Sequence, residues 1–334
     1  MLPPKTLLLF SIARQKGIYF LSCDTFAVLA DGSETIIEVS GLSRAFGDIK
    51  AVNDISFSVK EGQLFAFLGP NGAGKSTTIN MLCTLLEPDS GRVIIGGRSL
   101  GEDDAEIKES IGIVFQRGVL DPLLTVRGNL LVRGSLYGLD RNECARMADD
   151  AMAAMEITDL ADRRYKILSG GQKRKADIAR ALVNKPKLIF LDEPTTGLDP
   201  STRKHVWNLI LDLKKKGVTV FLTTHYMEEA EGADMVVVIN DGRIVAEGTP
   251  FQLMEEYSSD MLTLVPNDPV AFDSALRKDS VRFSRHGERF VIPIERTLEA
   301  ADIIQRYREH LVSLEVRAGT LDDAFINITG GGIE

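Results

Sequence analysis

The chain of 334 residues has 44% hydrophobic and 26% charged residues and a formal net charge of −9. This length suits one large domain and a smaller one, and the acidic balance argues against a general nucleic-acid-binding surface. No apolar run approaches the roughly 18 residues of a membrane span. The three cysteines are dispersed and form no CxxC pair, which predicts a reducing compartment and neither a zinc site nor a disulfide framework.

Organised sequence begins near Glu34, and residues 1–34 are predicted to be an N-terminal extension. Thr35–Val39 and Ile55–Val59 alternate apolar and polar residues, which predicts two strands. Phe46 lies between them. Its ring could stack on a purine or pack in the core, and its position alone favours the core.

A phosphate-binding loop is predicted after the short apolar strand at 64–68 and before the helical pattern at Thr78–Leu86. Its glycines let backbone N–H groups face an anion, and the helix N-terminus adds its dipole. The lysine can reach the β- and γ-phosphates, and the serine hydroxyl can bind Mg²⁺. The predicted loop residues are Gly69, Pro70, Asn71, Gly72, Ala73, Gly74, Lys75, Ser76 and Thr77.

Residues 102–161 are mostly helical in pattern and are predicted to form a helical subdomain inserted into the nucleotide-binding core. The stretch contains one apolar run, Ile111–Phe115, which is typical of a buried strand and ends at Gln116. Thr125 is predicted to cap a helix that continues to about Tyr137.

Carboxylates follow a second buried strand. Lys187–Leu191 ends in Asp192 and Glu193, at the strand end where ligands of α/β sheets bind. Asp192 can therefore coordinate Mg²⁺, and Glu193 can take a proton from an attacking water. The next apolar strand, Val218–Thr224, ends at His225.

A second anion-binding design places small residues at the start of another helix, with the sequence Ser169, Gly170, Gly171, Gln172. The phosphate-binding loop already holds the phosphates of its own nucleotide. A second phosphate-binding element in the same chain is explained by a head-to-tail dimer, in which this element of each chain caps the γ-phosphate held by the other chain.

The C-terminal residues 258–334 are predicted to form a small accessory domain. Their pattern is β-α-β-β-α-β, as in ferredoxin-like and related α+β domains, and it is followed by Leu321–Phe325. The segment contains no catalytic constellation, which favours a packing or regulatory module.

Together these motifs resemble the nucleotide-binding subunit of ABC transporters over about residues 36–253. They occur in the family's order: the P-loop Gly69–Thr77, the Q-loop Gln116, the signature Leu168–Gln172, Walker B Leu188–Glu193, the D-loop Gly197–Pro200 and the switch His225. The resemblance implies an α/β fold: a P-loop NTPase core with an antiparallel β subdomain and an inserted helical subdomain at 35–257. It also implies ATP hydrolysis with Mg²⁺.

The same resemblance implies residue roles. Phe46 stacks on adenine, Lys75 binds phosphate, and Ser76, Gln116 and Asp192 serve Mg²⁺. Glu193 polarises the attacking water, and His225 contacts the γ-phosphate. Asp199 links the two sites across the dimer, while Ser169 and Gly171 act on the partner's nucleotide.

Two segments, Asp121–Thr125 and Leu321–Phe325, are similar to daunorubicin-resistance type ATPases. These are separate subunits that pair with ABC-2 type permeases. The similarity implies a permease on another chain, a second ATP-binding subunit in a homodimer, and a place at the cytoplasmic face of the cell membrane. It also implies export of a drug-like or lipophilic compound. Gly128 stands where such chains usually carry glutamate, and we expect a looser or kinked helix there.

Other nucleotide-dependent classes fit less well. Asn184–Lys187 begins like the guanine-reading NKxD motif of GTPases, but Lys187 replaces the required aspartate. Translation-type ABC ATPases carry two motif sets, and repair types insert coiled coils or zinc modules, whereas this chain has one set and neither insertion. Glu193 and His225 argue against a purely regulatory ATP-binding module. A non-transport ABC ATPase, regulatory or associated with nucleic acid, remains the alternative.

Overall fold

The computed structural model describes residues 34–138 and 140–330. The predicted N-terminal extension therefore lies outside the described residues, except for Glu34. Within the described ranges, no helix is both long enough and apolar enough to cross a lipid bilayer.

Fourteen strands and eleven α-helices make up the described chain. Strands β1 to β14 are, in chain order, Thr35–Phe46, Ile49–Lys60, Leu64–Leu68, Ser90–Ile95, Arg98–Ser99, Ile111–Val114, Leu188–Asp192, Thr219–Thr224, Met235–Asn240, Arg243–Gly248, Asp260–Pro266, Ser284–His286, Arg289–Ile294 and Leu311–Arg317. Helices α1 to α11 are Lys75–Leu82, Asp104–Ser110, Val126–Ser135, Arg141–Ala154, Gly170–Leu182, Pro200–Lys215, Met227–Glu231, Pro250–Tyr257, Pro269–Lys278, Glu299–Tyr307 and Leu321–Thr329.

The central sheet has six strands in the order β10-β9-β3-β8-β7-β6. All neighbours pair in parallel except β10, which pairs antiparallel with β9. The strands β3, β7 and β8 are buried along their whole length, because both faces of the sheet are covered. Their carboxyl ends share one edge, so the loops that follow β3, β7 and β8 meet there.

An antiparallel sheet, in the order β2-β1-β4-β5, covers one face of the central sheet. An aromatic cluster joins the two sheets. The ring of Phe221 in β8 lies 5.2–6.0 Å, centroid to centroid, from the rings of Phe57, Phe65, Phe67 and Phe190. Each such aromatic pair contributes about 0.5–1.5 kcal/mol beyond the burial of its area. The predicted antiparallel β subdomain therefore packs directly behind the strand that leads into the phosphate-binding loop.

Helices cover the other face, and here the structure corrects the predicted inserted subdomain. Strand β6, inside the predicted range 102–161, pairs with β7 and is the edge strand of the central sheet. Ile107 of α2 and Ile111 of β6 pack in the core shared with the antiparallel sheet. The helices that pack together on the opposite face begin at α3. The short helix α2, just before β6, has the same helical sequence pattern as α3 and α4. The sequence therefore did not separate α2 and β6 from the helical subdomain.

Helix α3 begins as predicted, with the Thr125 side chain accepting a hydrogen bond from the Gly128 N–H at 3.0 Å. Gly128 thus lies in the first turn, where its N–H needs a cap rather than an intrahelical partner. The helix runs uninterrupted to Ser135, so the expected weak point in mid-helix is wrong.

The C-terminal sheet is antiparallel, in the order β12-β13-β11-β14, and it has its own core with α9 and α10. The predicted β-α-β-β-α-β sequence of elements is confirmed. The last helix differs from the prediction, because α11 leaves this domain. Its Leu321, Ala324 and Phe325 are buried in the core beneath the central sheet, where α11 packs against α8. The apolar pattern of α11 predicts a buried helix face, but it does not show whether that face packs in the core of the C-terminal sheet or in that of the central sheet.

Candidate active site

The phosphate-binding loop follows β3, and two of its glycines are required by close backbone contacts. A Cβ on Gly69 would lie 2.4 Å from the carbonyl oxygen of Ile239 in β9. Gly74 has φ +107°, and a Cβ there would lie 2.2 Å from the carbonyl oxygen of Ala51. The loop is therefore pressed between the two sheets, and helix α1 begins at the next residue, Lys75.

Lys75 is buried, and its ammonium group lies inside the loop. Nζ donates to the carbonyl oxygens of Gly69 at 2.7 Å and Pro70 at 3.0 Å, and it lies 3.9 Å from Oε1 of Glu193. Burial lowers the pKa of Lys75, although Glu193 and Asp192 act in the opposite direction. A buried cation held by weak carbonyl acceptors is suited to an anion such as a phosphate group.

Oxygen ligands suitable for a divalent cation meet beside the loop. The Ser76 hydroxyl donates to Oδ1 of Asp192 at 3.2 Å, and the Thr223 hydroxyl donates to the same oxygen at 2.6 Å. Carboxylate and hydroxyl oxygens are the ligands that Mg²⁺ prefers, and Mg²⁺ usually completes its shell with water and nucleotide phosphates. Among the described residues no cluster of three or more His, Cys, Asp or Glu side chains could hold a metal by itself. The donor set therefore fits Mg²⁺ bound together with a nucleotide.

Glu193 lies at the centre of the site, on the residue after β7. Its carboxylate accepts hydrogen bonds at Oε2 from Gln116 Nε2 at 3.0 Å and from the Thr196 hydroxyl at 3.1 Å. Nδ1 of His225 lies 3.5 Å from Oε1 and has no hydrogen-bond partner among the residues that the structure describes. A buried carboxylate held between an amide and an imidazole can orient a water molecule and accept its proton.

The backbone of Glu193 is strained. Its φ is +45°, in the left-handed region that residues with a Cβ rarely adopt, at a cost on the order of 1–3 kcal/mol. The N–H of Glu193 donates to the Thr223 hydroxyl at 3.1 Å. Strands β7 and β8 together hold this conformation.

The phosphate loop, Gln116 and Glu193 line a pocket of about 210 Å³. The structure thus brings together the predicted phosphate loop, Gln116 and Glu193, which come from segments far apart in the chain. The lining residues are Asn71, Gly72, Gly74, Lys75, Ser76, Thr77, Gln116 and Glu193.

Phe46 stands apart from this pocket, at the end of β1. Its side chain is 49% exposed, and the guanidinium carbon of Arg44 lies 5.3 Å from its ring centroid. The ring is not part of the core that its sequence position favoured. An exposed ring face suits stacking on a base.

The remaining predicted residues lie at two exposed helix N-termini and do not line the pocket. Ser169 caps α5 in a capping box with Gln172, and Asp199 caps α6 by accepting from the Thr202 N–H at 3.1 Å. Hydrogen bonds from Thr202 and Ser201 lower the pKa of Asp199 to about 2. Ser169, Gly170 and Asp199 are all exposed, so a neighbouring molecule can reach them.

Sequence reasoning missed three residues that hold the site. Thr223 bonds Asp192 and the Glu193 N–H, and Thr196 bonds the Glu193 carboxylate. Both lie at the predicted sheet edge, so their proximity to Asp192 and Glu193 was available as a signal. The third, Arg174, is one of several charged residues on α5, and nothing in its local pattern distinguishes it.

Comparison with known proteins identifies relatives that match most of the chain. Residues 52–196 match the ABC transporter family. The chain is 38% identical over 304 residues to the Nod factor export ATP-binding protein I of Rhizobium sp. (strain N33), covering 90% of this chain and 99% of that protein. It is 34% identical over 308 residues to the doxorubicin resistance ATP-binding protein DrrA of Mycobacterium tuberculosis, covering 88% and 93%.

Among solved structures, the chain is similar to a dimeric ATP-binding cassette captured after hydrolysis with ADP and Pi bound. The TM-score is 0.58 at 30% identity, and the match covers 64% of this chain and 98% of that one.

Proposed function

We propose a transport function from one premise: this chain belongs to the ABC transporter family, as a subunit that binds and hydrolyses ATP. Its hydrolysis energises a separate membrane permease of the ABC-2 type. The observation that carries the catalytic part of the proposal is the position of the Glu193 carboxylate. It lies beside the phosphate loop and accepts a hydrogen bond from Gln116, with His225 3.5 Å away.

Each residue near the loop has a proposed part in the reaction. The backbone of Gly72–Thr77 and the Lys75 ammonium bind the phosphates. Ser76, Asp192 and Gln116 would hold Mg²⁺. Bound Mg²⁺ would neutralise charge on the β- and γ-phosphates. Glu193 orients the attacking water and accepts its proton, and His225 holds the γ-phosphate side of the same site. Phe46 stacks on the adenine ring.

A homodimer completes the site. Ser169–Gln172 lie outside the pocket at a helix N-terminus where Ser169 and Gly170 are exposed and Gly171 is buried. Such a terminus favours an anion. We propose that this element caps the γ-phosphate held by a second copy, with the exposed Asp199 at the same interface. Closure on two ATP molecules and reopening after hydrolysis then form the working cycle.

The permease contact is proposed beside the helices that cover the other face of the central sheet, where an apolar patch is exposed in the segments just before α3 and α5. The patch consists of Leu123, Leu124 and Ile167, whose side chains are 65%, 37% and 66% exposed. Backbone hydrogen bonds join the segment that contains Leu123 and Leu124 to the one that contains Ile167. They run from the Tyr165 N–H to the carbonyl oxygen of Leu124 and from the Lys166 N–H to that of Pro122. Exposed apolar groups of this kind mark protein contacts. Docking there would hold the subunit at the cytoplasmic face of the membrane.

The relatives support an export direction. One is named for Nod factor export and another for doxorubicin resistance. We propose that the cargo is likewise a drug-like or lipophilic compound. We also propose that residues 35–257, with α11 packed on them, act as the ATP-binding domain, and that the C-terminal sheet is an accessory module.

The catalytic proposal is tested with Glu193→Gln, which keeps the shape of the side chain and removes the proton acceptor. We expect the purified variant to bind MgATP, to form a nucleotide-dependent dimer in size-exclusion chromatography, and to lose about 100-fold or more in kcat. Glu228→Gln, the same change at an exposed glutamate three residues after His225, is the control and should turn over normally. Wild-type turnover in Glu193→Gln would refute the assignment.

A further inference from the structure

The side chain of Arg174, on helix α5, is almost completely buried, and within the described residues its hydrogen bonds go to backbone carbonyls. It is 7% exposed. Its guanidinium donates to the carbonyl oxygens of Pro194 at 2.5 Å, Phe115 at 2.6 Å, Asp192 at 2.9 Å and Glu193 at 3.0 Å. Four carbonyls from two separate loops therefore converge on one planar group.

The four carbonyls belong to residues next to Gln116 and Glu193, or to Glu193 itself, and these two side chains meet at the pocket. Phe115 immediately precedes Gln116, and Asp192 and Pro194 flank Glu193 on either side. The hydrogen bond from Gln116 Nε2 to Glu193 Oε2 requires both loops to keep their relative position. Arg174 is bonded to both loops, and one of its acceptors belongs to Glu193 itself, whose φ is +45°.

Burying the Arg174 guanidinium costs desolvation free energy, so fold stability alone does not explain an arginine at this position. Burial lowers the pKa of Arg174, against the attraction of Asp177 and Asp192. Buried charges of this type are often replaced by apolar residues without loss of stability, so their retention calls for a positional explanation. A guanidinium offers five donors in a fixed plane, which lysine cannot reproduce.

We propose that Arg174 is a positioning residue for ATP hydrolysis, which holds Gln116 and Glu193 in the relative placement needed to orient the attacking water. The inference rests on the proposed catalytic role of Glu193. It adds a residue that touches neither nucleotide nor water and acts through the backbone of two loops.

A second arginine on the same helix, Arg180, is partly buried and provides a control. Arg180 donates to the carbonyl oxygen of Ile113 in β6, before the Gln116 loop begins, and burial lowers its pKa as well. Replacing Arg180 removes from α5 a second guanidinium that bonds a backbone carbonyl, but it leaves both loops bonded to Arg174. A merely structural effect should therefore appear in variants of both arginines.

The experiment compares Arg174→Met, Arg174→Lys and Arg180→Met by kcat, by the affinity for a fluorescent ATP analogue, and by Tm. For Arg174→Met we expect kcat to fall about 100-fold, since a misplacement of about 1 Å has this effect, with nucleotide affinity within about threefold. Arg174→Lys should recover part of the loss, to about 10-fold below wild type, because an ammonium replaces some of the bonds. Arg180→Met should keep kcat within about threefold.

A double variant tests the route of the effect. If Arg174 acts through Glu193, then Glu193→Gln with Arg174→Lys should turn over no more slowly than Glu193→Gln alone. If the kcat losses of Glu193→Gln and Arg174→Lys add in the double variant, the inference is overturned. It is also overturned if folded Arg174→Lys has wild-type kcat, or if Arg174→Met and Arg180→Met lose equal factors in kcat. If Arg174→Met does not fold, the lysine variant decides. Failure of the proposed function itself is separate, because it would appear as normal turnover in Glu193→Gln.

Discussion

Gly171→Ala separates two explanations for a glycine at the start of helix α5. The sequence suggests that Gly171 faces the partner's nucleotide, but the structure also supplies a packing reason. A Cβ built on Gly171 would lie 2.2 Å from Cγ2 of Thr202, at the start of α6. The two helix N-termini meet at this point, so alanine must displace either the methyl group or the helix.

The magnitude follows from two opposing terms. Overpacking a tight contact costs about 1–3 kcal/mol. Replacing glycine by alanine in a helix returns up to about 1 kcal/mol. We therefore expect Gly171→Ala to lower the free energy of unfolding by about 1–2 kcal/mol. Thr202→Ser removes the clashing methyl group and keeps the hydroxyl that bonds Asp199, so Gly171→Ala should be neutral or stabilising in that background.

The assay is urea unfolding followed by circular dichroism for the wild type, both single variants and the double variant, with ATP turnover measured in parallel. A double variant no more stable than Gly171→Ala alone would refute the packing explanation. Restored stability with turnover still low would assign Gly171 a second role, at the nucleotide of the partner subunit.

Two further outcomes follow from exposed groups. Phe46→Ala should weaken ATP binding roughly 5- to 150-fold, from the about 1–3 kcal/mol of base stacking, while Phe46→Tyr should bind normally. Affinity is measured by titration with a fluorescent ATP analogue, and unchanged affinity in Phe46→Ala would contradict base stacking. The carboxylate of Asp199, with a pKa of about 2 against 3.8 for the ordinary side chain, stabilises the folded state above about pH 4, and this contribution is lost as the pH falls towards 2. Asparagine also caps helices but does not titrate. The stability advantage of wild type over Asp199→Asn, measured by thermal unfolding, should therefore shrink between pH 5 and pH 2.5. An equal difference at both pH values would show that the charge is not responsible.

Local spacing was sufficient for the parts of this protein in which a few consecutive residues determine the chemistry. The glycines and Lys75 between a buried strand and a helix predicted the phosphate loop. The helix cap at Thr125 and the helix start at Ser169–Gln172 lie where predicted. The strand ending in Asp192 could be placed because four apolar residues in a row, Leu188–Leu191, are typical of a parallel sheet that is covered on both faces. These predictions depend on periodicity and turn chemistry, which a sequence displays directly.

Other features required the folded chain, because they depend on which distant segments meet. Whether β6 belongs to the central sheet, or α11 to its core, is decided by pairing and packing partners that a local apolar pattern does not name. The same holds for Arg174, an ordinary polar residue in a helical sequence. Only the tertiary structure brings its guanidinium against four carbonyls from two loops, because hydrogen bonds between residues up to 59 positions apart leave no periodic trace in the chain.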